Sequence, residues 1–303
     1  ANDSLRSSLE RLSSGKRINN AADDAGGLAV ASKLNSKINR TSAIIQNTQN
    51  GLSYLQVQDS SLQTAGKIVD RMSELRVMAQ DITKNSSDIE NYSKEFVELQ
   101  SQLNQVSKEK FNGISLFASS NATAAGTLTA GTGSYNDGTS VPKSYNTYGR
   151  TLLTHDSGES EAGSISINVV NFQFMLSVGT TSSGGTGFDL GNINSGTAGG
   201  TEVNAAGFLN NITDIAVSQF TSIIERIADM RAENGAEQNR VLNTMDLLQS
   251  NLTNIEAAHG RIMDTDIALE STRFARHNVL VQASAAMTAQ ANQLTNVALQ
   301  LLG

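Results

Sequence analysis

Apolar residues in the outer parts of this 303-residue chain recur at helical spacing, and those in the middle do not. Ile38, Ile45 and Leu52 stand seven apart, Leu55, Leu62 and Val69 repeat the interval, and Met72, Leu75 and Met78 carry the stripe on. Such spacing predicts a long helix with a coiled-coil seam. The polar run TKNSSD at 83–88 ends it, and Asp88 is placed to cap the next helix. Ile89, Tyr92, Phe96, Leu99, Leu103 and Val106 then alternate spacings of three and four, so a second helix is expected to fold back on the first. From about Phe117 to Gly207 the rhythm dissolves into Gly, Ser, Thr, Asn and Ala. There SISINVVNFQFMLSV (164–178) starts with apolar and polar residues in alternation and is rich in β-branched residues, which predicts one or two strands. YNDG (135–138) and AGTLTAGTGS (125–134) read as turns and loops, with disorder the alternative for parts of this zone. Helical rhythm returns at Phe220, Ile223, Ile227 and Met230, passes the polar Asn234 and Glu237, and resumes from Val241 to Ile262. That is a helix of about 45 residues, roughly 65 Å long. HGRIMDTD (259–266) interrupts it, with Asp264 or Thr265 as the next cap, and Met287, Ala291, Leu294, Ala298 and Leu301 mark a last amphipathic helix.

The first helical stripe, Leu5, Leu9 and Leu12, begins almost at Ala1, where there is no Met, so the helix is expected to start upstream. Between it and the long helix lies RINNAADDAGGLAVASKL (17–34), with Asp23 beside Asp24 and Gly26 beside Gly27. Paired aspartates suggest acid/base chemistry or a metal, but no neighbour in the sequence offers to shift a pKa. As helix caps, the same residues make a joint in which the acidic pair suits the positive N-terminus of the following helix. Each glycine costs about 1 kcal/mol in a helix, which is easiest to understand where another subunit packs on the backbone. The plan is palindromic: helix, joint, long helices, insert, long helix, joint, helix. The predicted fold is mainly α with a β-rich insert. Its N- and C-terminal segments form a long antiparallel coiled-coil rod, with the small β domain at the far end. Expected boundaries are 1–22 (terminal helix and joint), 23–117 (first half of the rod), 118–206 (surface β domain), 207–263 (second half of the rod) and 264–303 (terminal helix). Unpaired stripes at both ends imply a partner, and identical copies are the simplest one.

Composition narrows the chemistry. With 5% aromatics, no Trp and a single Pro142, the core must rest on aliphatic residues and Met. The absence of Cys removes disulfides, thiolate catalysis and Cys-ligated metals. A net charge of −7 without basic clusters argues against nucleic acid. The sequence contains neither a membrane-spanning apolar run nor a cleavable leader pattern. Asp156, Glu159 and Glu161, near His155, are weak candidates for a hard cation, and their spacing fits no EF-hand, so a solvated acidic loop is the stronger reading. GGTGFDLG (184–191) resembles a phosphate loop only in its glycines. No nucleophile or base stands out, no cofactor is indicated, and no enzyme is expected. Tyr135, Tyr145 and Tyr148, among amides and hydroxyls, are a candidate saccharide face or else plain strand and turn positions.

LERLSSGKRINNAADDAGGLAVASKL (9–34) closely resembles the N-terminal signature of bacterial flagellins. RMSELRVMAQD (71–81), FNGISLF (111–117), NGAEQNRV (234–241), GRIMDTDIALES (260–271) and AQANQLTNVALQLLG (289–303) resemble the family's other landmarks, in the same order. The resemblance implies a structural subunit that self-assembles into the flagellar filament for motility and is exported without a cleaved signal. The alternative is a cell-surface homologue that binds glycans or surfaces through its variable domain. It implies assembly residues Leu5, Leu9, Leu12, Asp23, Asp24, Gly26 and Gly27 facing or flanking Met287, Ala291, Leu294, Ala298 and Leu301. Its implied partners are further copies, the export apparatus and a chaperone, and the filament cap and hook-junction proteins. Polysaccharide and a Toll-like receptor are further candidates, the latter meeting Arg71, Leu75 and Glu95, with Met78 where a glutamine is usual. Family members carry roughly twenty further helical residues before the position of Ala1, so the chain reads as truncated, and it is expected to stay monomeric where a full-length chain forms filaments. The last helix also lacks the proline that many relatives have after QANQ, and is expected to run on without that restriction.

Overall fold

The computed structural model describes residues 2–118, 129–135, 143–159, 161–178, 188–189 and 211–302. Among these, long helices dominate: α1 (Asn2–Ser14), α2 (Ala25–Met78), α3 (Ser86–Ser107), a short α4 (Phe172–Met175), α5 (Val217–Met263) and α6 (Ile267–Leu302). The stripe spanning 38–78 forms one helix of 54 residues, and the rhythm of 220–262 forms one of 47. Two caps differ from expectation. Asn85, not Asp88, caps α3; Asp88 sits at the third helical position and closes a reciprocal capping box, its carboxylate accepting the Asn85 N–H at 3.2 Å while Asn85 Oδ1 accepts the Asp88 N–H at 2.9 Å. At α6 the cap is Asp266, whose carboxylate accepts from the Leu269 N–H at 3.0 Å. The chain divides into two compact units, residues 1–43 with 248–303, and residues 44–247.

In the second unit the sevenfold seam of α2 is the core. Leu55, Leu62, Val69, Met72 and Leu75 are fully buried, packed with Phe96 and Leu103 of α3 and Phe220 and Ile223 of α5. Phe96 and Phe220 meet edge to face with centroids 6.3 Å apart. The β strands are β1 (Lys110–Phe111), β2 (Ile114–Ser115), β3 (Phe117–Ala118), β4 (Thr129–Tyr135), β5 (Lys143–Leu153), β6 (Ser164–Asn171), β7 (Ser177–Val178) and β8 (Phe188–Asp189). A four-stranded sheet runs β3-β6-β5-β4, with β6 parallel to β3 and antiparallel to β5. Ile165 and Ile167 alternate inward along β6 and, with Val170 at its end, join the core formed with the helices. The expected strand region 164–178 is therefore β6, one helical turn capped by Asn171, and β7. Residues 129–134, read as loop, are strand: β4 pairs with β5 from Thr129↔Gly149 to Tyr135↔Lys143. Pairing supplies their main-chain hydrogen bonds, a tertiary cause that small-residue composition does not announce. The turn expected at YNDG and most of GGTGFDLG lie outside the described residues.

Asn234 and Glu237, the polar breaks in the seam of α5, are accounted for by the sheet. Asn234 Nδ2 donates to Gln58 Oε1 at 2.7 Å, and Gln58 Nε2 donates to the carbonyls of Leu116 and Asn168 at 2.8 and 3.2 Å. Gln238 Nε2 donates to Asn234 Oδ1 at 2.6 Å. The Asn168 N–H donates to both carboxylate oxygens of Glu237, at 3.0 and 3.1 Å. Beside this network the guanidinium of Arg231 grips Asp59 at 2.9 and 3.4 Å, joining α5 to α2 again. Burial pushes the Glu237 carboxyl from its ordinary 4.5 to about 7; the Asn168 N–H opposes the shift, the nearby Glu233 adds to it, and Arg240 opposes it.

A folded-state pKa above the unfolded value means that this group favours the fold fully below about pH 4.5 and loses that contribution as pH rises through about 7. Glu237→Gln keeps an acceptor for Asn168 and removes the charge. Its melting temperature should match the parent's near about pH 5 and exceed it near about pH 8; a gap independent of pH would contradict the assignment. In the core, Phe96→Ala should cost about 3–5 kcal/mol in urea unfolding, because the ring is fully buried against Phe220.

Candidate assembly surface

The first unit is built around two joints that pair with each other. Gly15, at φ +68, turns the chain out of α1 in a conformation few other residues adopt. Its carbonyl accepts from the Thr265 N–H at 3.0 Å, the Arg17 N–H donates to the Met263 carbonyl at 2.6 Å, and Lys16 and Asp264 form an antiparallel bridge. The Arg17 side chain adds two bonds from Nε and Nη2 to the Ile262 carbonyl, at 3.2 and 2.9 Å. Ile18, Ala31 and Met263 bury a small core beneath, with Leu28 and Ile262 against it. The helix break, expected at 259–266 and observed at 264–266, thus leaves carbonyls at the end of α5 that the first joint satisfies.

The doublets divide their work. Asp24 caps α2 by accepting from the Gly27 N–H at 2.8 Å. Asp23 closes the preceding turn, accepting from the N–H groups of Asn20 and Asn19 at 3.0 and 3.1 Å. Those two donors, with Arg11 adding charge, hold its carboxyl below the usual range. The glycines are not equivalent. A Cβ at Gly27 would stand 2.8 Å from Asp24 Cγ and 2.9 Å from Ile18 Cδ1, whereas one at Gly26 would meet only Asp24 Oδ1 at 3.6 Å. Packing by another subunit was the expected reason for both; for Gly27 the chain itself supplies one. The capping aspartate and Ile18 approach the helix too closely for a side chain. Gly15, Arg17, Ile18 and Met263 were not singled out from the sequence; the signal available was the matching of two joints in a palindromic plan.

Helices α1 and α6 pack together, but much apolar surface stays in water. Leu5 and Leu12 are half-buried and Leu9 is 51% exposed. Along α6, Ile267, Leu269, Val279 and Leu280 are exposed, Met287 is 71% exposed, and Ala291 is exposed too. The side chains of Leu294, Ala298 and Leu301 lie outside the described residues.

The remaining candidates fall in the second unit. Arg71 Nε and Glu95 pair at 2.8 Å on the surface, and Arg71 also reaches Glu74 at 3.0 Å. Leu75 does not share that face as expected: it is fully buried, because it continues the core seam of α2, and Met78 is half-buried. Tyr148 is half-buried and pairs with Ala130 and Val169, while the side chains of Tyr135 and Tyr145 lie outside the described residues. Positions 145 and 148 of β5 are an odd number apart and belong to opposite faces of a pleated strand. His155 Nδ1 lies 3.4 Å from Asp156, and Glu159 and Glu161 are exposed; among the described residues no group of three or more His, Asp or Glu gathers for a metal. Nor is any helix among them long and apolar enough to cross a membrane.

Comparison with known proteins bears on this surface. Residues 1–122 match the family described as the bacterial flagellin N-terminal helical region, and residues 217–302 match the bacterial flagellin C-terminal helical region. The chain is 30% identical over 311 residues to a flagellin of Bacillus subtilis (strain 168), across 99% of this chain and 93% of that protein. It is 30% identical over 304 residues to flagellin FlaB2 of Treponema pallidum (strain Nichols), again across 99% and 93%. Among solved structures, a putative flagellar hook-associated protein from Vibrio parahaemolyticus shares the fold, with a TM-score of 0.57 and 13% identity over 80% of this chain and 100% of that one.

The joint predicts a contrast between adjacent glycines. Gly27→Leu must displace the Asp24 cap or Ile18, at about 1–3 kcal/mol, and should speed amide exchange at Arg17 and Thr265 about tenfold or more. Gly26→Ala meets only ordinary contacts and should leave exchange unchanged or slow it, since alanine favours a helix by about 1 kcal/mol.

Proposed function

The chain belongs to the bacterial flagellin family and is a structural subunit of the flagellar filament, and we propose that its first unit carries the contacts between copies that form the inner part of that filament. Its relatives form the extracellular filament, and assembly from identical subunits is the family's mode of action. The observation that carries the proposal is the number of exposed large apolar side chains distributed around α6, Ile267, Leu269, Val279, Leu280 and Met287, together with the exposed Leu9 of α1. A helix that keeps so much apolar side chain in water has to bury it against something, and in a filament the neighbour is another copy. Leu5, Leu12 and Ala291, with Leu294, Ala298 and Leu301 further along α6, extend the same assembly surface. Asp23, Asp24, Gly26 and Gly27 contribute by fixing the direction in which α2 leaves it. We assign the export chaperone and the cap and hook-junction proteins to these same helices, because an apolar face needs cover before and after it meets its own kind. In this reading the solvent-facing domain is the part of 118–206 outside β6 and α4, whose Ile165, Ile167, Val170, Phe172 and Met175 are buried with the helices, and the Arg71–Glu95 pair is a surface an innate receptor can reach.

Val279→Glu combined with Met287→Glu, made in the full-length chain, should test the assembly surface. Each buried aliphatic side chain contributes about 1.5–3 kcal/mol, so the pair should raise the critical concentration for polymerisation by about a hundredfold or more. Helical circular dichroism should stay at the parent's level, since both residues are exposed. Leu153→Glu, exposed in the second unit, is the control expected to polymerise normally. Normal filaments from the double variant, seen by electron microscopy, would overturn the proposal.

A further inference from the structure

Helix α6 turns only a narrow face towards α1. Among its described side chains, Glu270, Phe274, His277 and Val281 alone are covered, at helical spacings of four, three and four, and Glu270 is the deepest at 2% exposed. The covered positions of α1 include the buried Ser8 and the half-buried Arg11 and Leu12. The joint sets their level. Because the Thr265 N–H donates to the Gly15 carbonyl, Arg11 lies four residues before that bond and Glu270 five after it, about one helical turn away on each side. A guanidinium and a carboxylate are thereby brought to the same level of the helix pair.

Three polar atoms of this region are enclosed and meet no hydrogen-bond partner of the chain: Arg11 Nε, Asn19 Nδ2 and Glu270 Oε1. Asp23 gathers the first two residues, accepting the Asn19 N–H on Oδ2 at 3.1 Å and standing with Oδ1 3.9 Å from Arg11 Nη2. The second oxygen of Glu270 accepts from Arg273 Nη1 at 3.3 Å, so this carboxylate is satisfied on one side only. Folded chains rarely leave enclosed polar groups unpaired, least of all a charged one. Two donors and one acceptor are the complement of a water molecule, which accepts and donates at once, and about three partners is usual for an enclosed water. We propose that one water molecule is held between Arg11 Nε, Asn19 Nδ2 and Glu270 Oε1, tying α1, the first joint and α6 together where their apolar contact is small. The site is complete within one chain and does not depend on the filament role.

A high-resolution crystal structure of the chain tests the site directly. Water within hydrogen-bond distance of all three atoms is expected; a direct bond between Arg11 and Glu270, or an Oε1 without water, overturns the proposal. In solution, Glu270→Gln keeps an oxygen acceptor and Glu270→Leu removes it. The amides of Arg17 and Thr265, whose bonds cross the joint, should exchange about a hundredfold faster in the leucine variant and within about threefold of the parent in the glutamine variant. Arg11→Met should speed exchange about as much as Glu270→Leu. The two together should be little worse than either alone, because each removes a group that the other leaves unpaired. Effects that multiply in the double variant, or equal exchange in the glutamine and leucine variants, overturn the shared site. If Glu270→Leu or Arg11→Met does not fold, the crystal structure of the parent chain decides.

Discussion

A sheet laid against long helices leaves main-chain donors and acceptors that neither partner satisfies by itself, and in this protein two side chains of the helices meet that need. Gln58 of α2 donates to the carbonyls of Leu116 and Asn168, and Glu237 of α5 accepts the N–H of Asn168. Asn234 and Gln238 hold Gln58 in position. Leaving such a group buried and unpaired costs about 1–3 kcal/mol, so the network fixes the register of α2, α5 and β6 together. Apolar packing alone would let one helix slide along another by a turn, because every seam position is occupied by a similar side chain. Amide pairs do not slide.

The same residues show where a sequence stops being readable. Heptads in α2 and the three-four spacing in α3 give helix, length and buried face, because those follow from local periodicity. Asn234 and Glu237 are visible as faults in the seam of α5, but their meaning depends on a sheet strand far away in sequence, the Glu237 bond to Asn168 spanning 69 residues. Strand β4 is hidden for a related reason: Thr129 to Tyr135 contain no apolar alternation, and only pairing with β5 makes them strand. Leu75 shows the opposite error. A motif match places it on a surface, whereas the stripe that contains it, read by spacing, already assigns it to the core.

At the joints, the legible part is the capping chemistry and the illegible part is its partner. Asp and Asn doublets ahead of an apolar stripe announce a turn and a helix start, which is what Asp23 and Asp24 do. Nothing local says that Gly15 and Arg17 will bond to Met263, Ile262 and Thr265, nearly the whole chain away. The palindromic order of elements is the one hint, since two breaks at mirrored places invite each other. Gly27 then has a cause inside the chain: the cap that starts α2 occupies the space a side chain would need.

The two units differ in how completely they close. In the second, the core residues of α2, α3 and α5 reach zero exposure, and the polar groups among them are paired. In the first, α6 keeps Val279 and Met287 well exposed on a helix that continues to Leu302. On the proposed assembly surface that inequality has a use. The closed unit folds on contacts of its own, whereas the open one would reach its lowest free energy when neighbouring copies cover it, which would couple folding of the terminal helices to growth of the filament by mass action. The joint between Arg17 and Met263 ties the start of α2 to the end of α5 by main-chain bonds, and so sets α1 and α6, which follow from those ends, side by side with little buried apolar surface between them.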